Sequence, residues 1–540
     1  MSNVARVAGQ AANTLSKPLN VEDVFSTYLY EGNGTSQTIT NGIDLAGEGG
    51  LVWFKTRSNT YDNELVDTER GAGYVLSSNQ TYASTTQDVD HVTSFNSDGF
   101  TMGGDNGCNY SGRTFASWTF RKAPKFFDVV TYTGTGSVQT ISHNLGVEPG
   151  MIIVKAYSAS GVWGVYHRSL GNTKKITLNE TTAAETFSTY WNNTDPTSTE
   201  FTVGTNTSVN TNGNTYVAYL FAHNDGDGEF GPDSDQDIIK CGSYTTDASA
   251  DATINLGWEP QWVLFRPYDD TSNWKIVDNM RGFLATATAS TGYNRELNPN
   301  TSGAELNNDG IQITSTGFDH VSGFASKNFI YIAIRRGPMA VPTDATDVFA
   351  LDGTYSASSP QYYSGWPVDF WMRRYDKTSG TDYVIAMDRL RGNGQQYLNT
   401  TSTAAESFFS TIGVGQMDGA DLNGTSNSMA WLWRRAPNFF DVVAYDGNGS
   451  TQTINHNLGV VPEMIITKKR TGGTATWAVV LSAINSGLGY LKLDNSDALA
   501  ATTYNVHPNR GATTYDCNAD GVTNASGSTY IAYLFASLDG

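Results

Sequence analysis

Cysteine is nearly missing from this chain of 540 residues: Cys108, Cys241 and Cys517 are an odd number, far apart, with no Cys-x-x-Cys pair. Neither a disulfide framework nor a cysteine-based metal or redox centre is expected from such spacing. Charge is sparse as well, at 16% of residues, and unbalanced, with a net −20 and a pI near 4.7. A nucleic-acid surface draws its affinity from clustered Lys and Arg, so nucleic acid is excluded as a partner. Long hydrophobic runs are absent too: no stretch of about 18 apolar residues could cross a membrane as a helix. The segment Met1 to Val7 has no apolar core of a signal peptide. The expectation is a chain made in a reducing cytoplasm and not inserted in a membrane. Few stretches show the three-to-four-residue apolar period of an amphipathic helix, whereas Gly reaches 55 and aromatics 12%. This is the composition of an all-β protein.

What is there is repetition. Tyr30-Glu31-Gly32-Asn33-Gly34-Thr35-Ser36-Gln37-Thr38-Ile39 returns at Tyr132 to Ile141 and at Tyr445 to Ile454. A second landmark, the apolar strand Leu51 to Lys55, recurs as Met151 to Lys155, Val263 to Arg266, Phe370 to Arg373 and Met464 to Lys468. Its closing bases are spaced 100, 111, 107 and 95 residues apart, one position in five copies. Unbroken apolar character suits a central strand buried on both faces. Aromatic-rich strands with one small residue close each copy: Phe115 to Trp118, Tyr216 to Phe221, Ile330 to Ile334, Met429 to Trp433 and Tyr530 to Phe535. Copies of about 100 residues have the length of a β-sandwich rather than of a solenoid repeat.

The boundaries read as an N-terminal arm at 1–23, then β-sandwiches at 24–125, 126–235, 236–343, 344–437 and 438–540. Junctions are short, Pro-containing and apolar, and Arg121 to Val130 matches Arg434 to Val443. Adjacent copies should therefore be coupled, giving a semi-rigid rod or arc of five in line. The basic pairs Arg121-Lys122 and Arg434-Arg435 sit at equivalent junction positions and are assigned a structural role. The arm matches no repeat and reads as an anchor to other proteins or, equally, as a plain floppy terminus.

Candidate sites are few. Copies one, three and four carry Asp-x-x-Arg-Gly, as Asp67/Arg70, Asp278/Arg281 and Asp388/Arg391, which reads as a turn fixed by a local ion pair with Gly at positive φ. The acidic run with Asp225, Asp227, Asp233 and Asp235 offers oxygen ligands to Ca²⁺, but the EF-hand spacing is unmet, and a solvated linker is the favoured reading. His143 and His456 precede Asn-Leu-Gly in turns, with no nucleophile motif nearby. Gly32-Asn33-Gly34 lacks the third Gly and the helix of a nucleotide loop. The glycan-contact candidates are Tyr190, Trp191 and Asn192 in one polar loop and Asp105 and Tyr110 in another, because aromatic faces beside amides suit neutral sugars. No cofactor and no catalytic residue is assigned.

Together, Tyr-x-Gly-x-Gly-Ser-x-Gln-Thr-Ile, His-Asn-Leu-Gly-Val-x-Pro, Tyr190 to Thr194 and Thr215 to Tyr219 resemble a repeated domain of uncharacterised virion proteins from marine tailed phages. The likeness is specific in copies two and five and weaker elsewhere. It implies jelly-roll, lectin- or laminin-G-like modules and a location in the virion. The expectation that follows is a homo-oligomeric tail fibre or tail appendage that docks on other virion proteins through its arm and meets host-surface glycan with its distal copies. A capsid decoration or tail-ring protein is the first alternative. A polysaccharide depolymerase, which needs two carboxylates in a cleft, is the second.

Overall fold

The computed structural model describes residues 18–84, 86–285, 294–308, 310–375, 383–392, 396–408, 417–421, 428–484, 489–499 and 506–538. Residues 1–17 of the arm lie outside these. The protein is all-β, with 41% strand and 4% helix in many separate antiparallel sheets.

Copy one sets the pattern. Its strands are β1 (Phe25–Glu31), β2 (Gln37–Thr40), β3 (Gly50–Thr56), β4 (Glu64–Asp67), β5 (Leu76–Ser77), β6 (Val92–Asn96), β7 (Gly99–Met102) and β8 (Thr114–Arg121), with a short helix α1 (Asn106–Asn109) before the last. The large sheet runs β1-β8-β3-β4-β5 and the small one β2-β7-β6. In every copy the last strand inserts between the first and the third in the same way. Ile39, Phe100 and Met102 of the small sheet share a core with Val52, Phe54 and Phe115 of the large one, so the two sheets pack face to face.

Strand periodicity divides the apolar residues between two cores. Val52 and Phe54 enter the sandwich, while Leu51 and Trp53 point to the other side and join a second core shared with copies two and three. The same alternation separates Val263 and Phe265 from Trp262 and Leu264 in copy three. All seven residues of β3 are buried, as the continuous apolar run predicts.

The expected line of copies is not what forms. Phe120 of copy one packs on Phe221 of copy two, with ring centroids 5.4 Å apart, and on Trp262 of copy three, at 5.7 Å. Copies one and three touch directly, so the first three copies close on themselves rather than extend. The physical reason lies in the outer face of each large sheet, which is as apolar as the inner one and must also be covered. Copies four and five share an equivalent aromatic cluster, Phe370, Trp433, Phe440, Tyr533 and Phe535. The described end of the arm stays within the chain: Leu19 bridges Phe230, and Val21 N donates to Pro338 O at 2.9 Å.

Candidate functional site: the contact between copies and its open third place

Among the described residues one contact recurs four times. A reaching copy offers the base that ends its third strand and the residue before its fourth. A receiving copy offers the loop after its fifth strand and the turn that ends its fourth. From copy two to copy one, Lys155 Nζ donates to Thr81 O at 3.2 Å and Trp163 Nε1 to Gln80 O at 3.0 Å. From copy three to copy two, Arg266 Nη2 donates to Thr181 O and Thr182 O, each at 2.9 Å, and Trp274 Nε1 to Thr177 O at 2.8 Å. From copy one to copy three, Lys55 Nζ donates to Ser302 O at 3.0 Å and Asn63 Nδ2 to Thr301 O at 2.7 Å. Copy five reaches copy four in the same manner, Lys468 Nζ to Ser402 O at 3.4 Å and Trp477 Nε1 to Asn399 O at 3.0 Å.

Backbone pairing accompanies each contact. The amides of Ser84, Ala184, Glu305 and Glu406 donate to the carbonyls of Tyr157, Tyr268, Arg57 and Arg470 respectively, at 2.7 to 3.0 Å. Glu305 and Glu406 add ion pairs to Arg57 and Arg470 at 2.8 and 3.1 Å. These bonds take up main-chain groups that burial would otherwise strand.

The Asp-x-x-Arg-Gly motifs are the receiving turns. Arg70, Arg281 and Arg391 each meet the Asp three residues earlier through Nε, at 2.7, 2.6 and 2.5 Å, and Gly71, Gly282 and Gly392 have φ of 94°, 116° and 128°. The local ion pair is only half of their task, because each Asp also accepts a bond from the last strand of the reaching copy. Tyr219 Oη donates to Asp67 Oδ2 at 2.8 Å, Trp118 Nε1 to Asp278 Oδ2 at 3.1 Å and Tyr533 Oη to Asp388 Oδ2 at 2.8 Å. In copy two, which lacks the motif, His167 stands at the Asp position, its Nε2 3.1 Å from Tyr331 O of copy three. Repeat spacing identified these residues, but nothing in it marked Tyr219, Trp118 or Tyr533 as their partners.

The bases lie at a cost. Lys55, Lys155, Arg266 and Lys468 are 0% exposed, and burial pushes the three lysines down to about 8 and Arg266 down to about 10. They remain tolerable because carbonyl oxygens surround the charged heads.

The contacts run one to three, three to two and two to one, and there they close. Copy five reaches copy four, and the next step is open. Strand register places Arg374, not Arg373, opposite Met429 and level with Lys55, because Phe370 pairs with Trp433 as Leu51 pairs with Phe120. The closing base of copy four is therefore one residue later than sequence alignment suggests, and Arg373 is buried opposite Ala430 on the sandwich side. Arg374 is exposed. Leu351 is 56% exposed, where Thr27, Val129, Cys241 and Val442 at that register position are 0–5%. Met429 is 40% exposed, where Ala116, Val217, Ile330 and Ile531 are fully buried. In copy five the receiving loop is bare: Leu493 is 44% exposed, where Ser78, Leu178 and Thr400 are 0–6%.

The remaining sequence candidates fall elsewhere. Tyr190 and Trp191 are each 2% exposed and present no ring face. Asn192 is exposed at the left-handed end of a one-turn helix, Asp105 caps α1 through Gly107 N at 2.7 Å, and half-buried Tyr110 lies 5.5 Å beneath Arg113. Asp227 and Asp237 bond backbone amides of their own loop. Among the described residues, Asp225, Asp227, Asp233 and Asp235 form no converging ligand group. The Gly-x-Gly turns are held by an asparagine that sequence reading missed. Asn210 Nδ2 donates to Ser137 O and Gly204 O, both at 2.6 Å, and Asn109 and Asn524 occupy the same place. A Cβ on Gly134 would lie 2.3 Å from Thr211 O, so the first Gly of the motif permits a close approach.

The chain matches a family described as a domain of unknown function, DUF7483, over residues 20–338 and again over 346–540. It belongs to that family. The first match spans the three closed copies and the second spans the open pair. No curated protein matches the chain.

Proposed function

We propose that this DUF7483 protein is a structural component of a phage virion, attached at the tail, whose five copies are jelly-roll sandwiches of lectin or laminin-G type. In this reading its distal pair holds a neighbouring virion protein. The observation that carries it is the half-filled second set: a reaching face on copy four and a receiving loop on copy five, both bare where their equivalents are covered. Three identical steps close the first set, so the open place admits one further copy. A second molecule of this chain has no suitable copy to offer, because its copies one to three are fully engaged and its copies four and five each have one face engaged. Placing its copy four on copy five would drive its own copy five into the position of copy four. The occupant is therefore a β-sandwich copy of the same family carried by a different polypeptide.

Burial of Tyr190 and Trp191 favours contact with virion neighbours over host glycan as the work of these modules. A Met429→Cys thiol tests the reading, since the three native cysteines are buried. It should react rapidly with a maleimide in the isolated chain and at least tenfold more slowly in intact particles, where immunogold should place the chain at the tail. Equal reactivity in both settings, or particles devoid of the protein, would overturn the proposal.

A further inference from the structure

Copy one holds a polar group that copy two lacks. His91 is 1% exposed, and its Nε2 lies 2.8 Å from Glu64 Oε2. Its other ring nitrogen, Nδ1, is buried without a hydrogen-bond partner. The His91 imidazole, the Cys108 thiol and the Asp105 carboxylate bring one ligand atom each within 4.8 Å of one another. In copy two the same positions are Tyr190, Val209 and Asn206, with Gly164 in place of Glu64, and the Tyr190 ring and Val209 fill the space above Gly164. The fold therefore does not require the polar set.

We propose that His91 Nδ1, Cys108 Sγ and Asp105 form a binding site for a zinc-class divalent cation, with Glu64 as the group that orients the imidazole. The donor set argues the metal: imidazole, thiolate and carboxylate together suit Zn²⁺, whereas Ca²⁺ and Mg²⁺ take oxygen alone. A carboxylate on Nε2–H fixes the tautomer that leaves Nδ1 free to ligate, the usual arrangement behind a metal-bound histidine. Tetrahedral ligation at about 2.0–2.3 Å needs donor atoms about 3–4 Å apart, so binding draws the three together by up to about 1–2 Å. The Cys108 thiol gives up its proton to solvent as the metal enters. The half-buried Asp105 gives the route from solvent.

Titration of the full chain with Co²⁺ is the test. The expected result is one equivalent bound, with a thiolate-to-cobalt charge-transfer band and the intense visible bands of tetrahedral cobalt, displaced by Zn²⁺. Cys108→Ser should abolish the charge-transfer band, and Glu64→Gln should weaken affinity about 10- to 100-fold. A wild-type chain that shows no band and retains no zinc after equilibrium dialysis overturns the proposal, as does an undiminished band in Cys108→Ser. The wild-type titration decides by itself if a variant fails to fold.

Discussion

Copies one to three and copies four and five are built from the same sandwich and the same contact, yet one set closes and the other stops a step short. In the first, each outer sheet face is covered by a neighbour; Trp53, Trp118, Trp163, Trp262 and Trp274 are all at most 1% exposed. In the second, Leu351, Met429 and Leu493 stand in solvent at positions that the rest of the chain buries. The difference teaches that burial here belongs to the partner and not to the residue type, since Met429 is more hydrophobic than Ala116, its buried counterpart. It also separates a face that needs a partner from one that has it.

The largest expected contrast sets Val217→Asp against Met429→Asp, two substitutions at one repeat position. A charge at the buried Val217 should cost more than about 4 kcal/mol, whereas exposed Met429 should tolerate it within about 0.5 kcal/mol. Urea unfolding measures both, and a similar loss at the two sites would show that copy four is already covered. Next come the receiving turns. Arg281→Met leaves Asp278 buried without its cation and should cost about 3–5 kcal/mol. Arg391→Met should cost as much but shift only the unfolding of residues 346–540, if the closed set and the pair melt as separate units in calorimetry. Asn210→Ala and Asn524→Ala should each lose about 1–3 kcal/mol, because they strip the same buried turn in both sets. Unequal losses would mean that the turns are not equivalent.

The smallest effect is in pH. Lys55 and Lys155 in the closed set and Lys468 in the pair have folded pKa values lowered to about 8 by burial. The unfolded chain then binds more protons between about pH 8 and 10.5, so stability should rise with pH across that window. Denaturant midpoints at pH 7.5 and 9.5 would check the sign. Lys55→Met and Lys155→Met should flatten the slope more than Lys468→Met alone.

Much of the fold was legible. Composition marked an all-β chain, and the unbroken apolar run at Leu51 marked a strand buried on both faces. The Asp67/Arg70 pair was readable because its two partners sit three residues apart in one turn. Tyr219 could not be read as the third member, being 152 residues away. Arg373 was mistaken for the closing base because adjacent arginines cannot be ranked until strand register fixes which one faces outward. Tyr190 and Trp191 passed for a surface loop because polar neighbours conceal two rings that turn inward. Glu64, His91, Asp105 and Cys108 follow no ligand spacing and meet only when copy one folds.

By itself the sequence determined the local chemistry: which segments are strands, where glycine must turn the chain, and how many times the unit repeats. Those follow from side-chain period and backbone sterics within a few residues. Tertiary structure alone decided that three copies close and two do not. Closure depends on outer sheet faces, lysine heads and distant carbonyls meeting in space, and an apolar face carries no record of what will cover it.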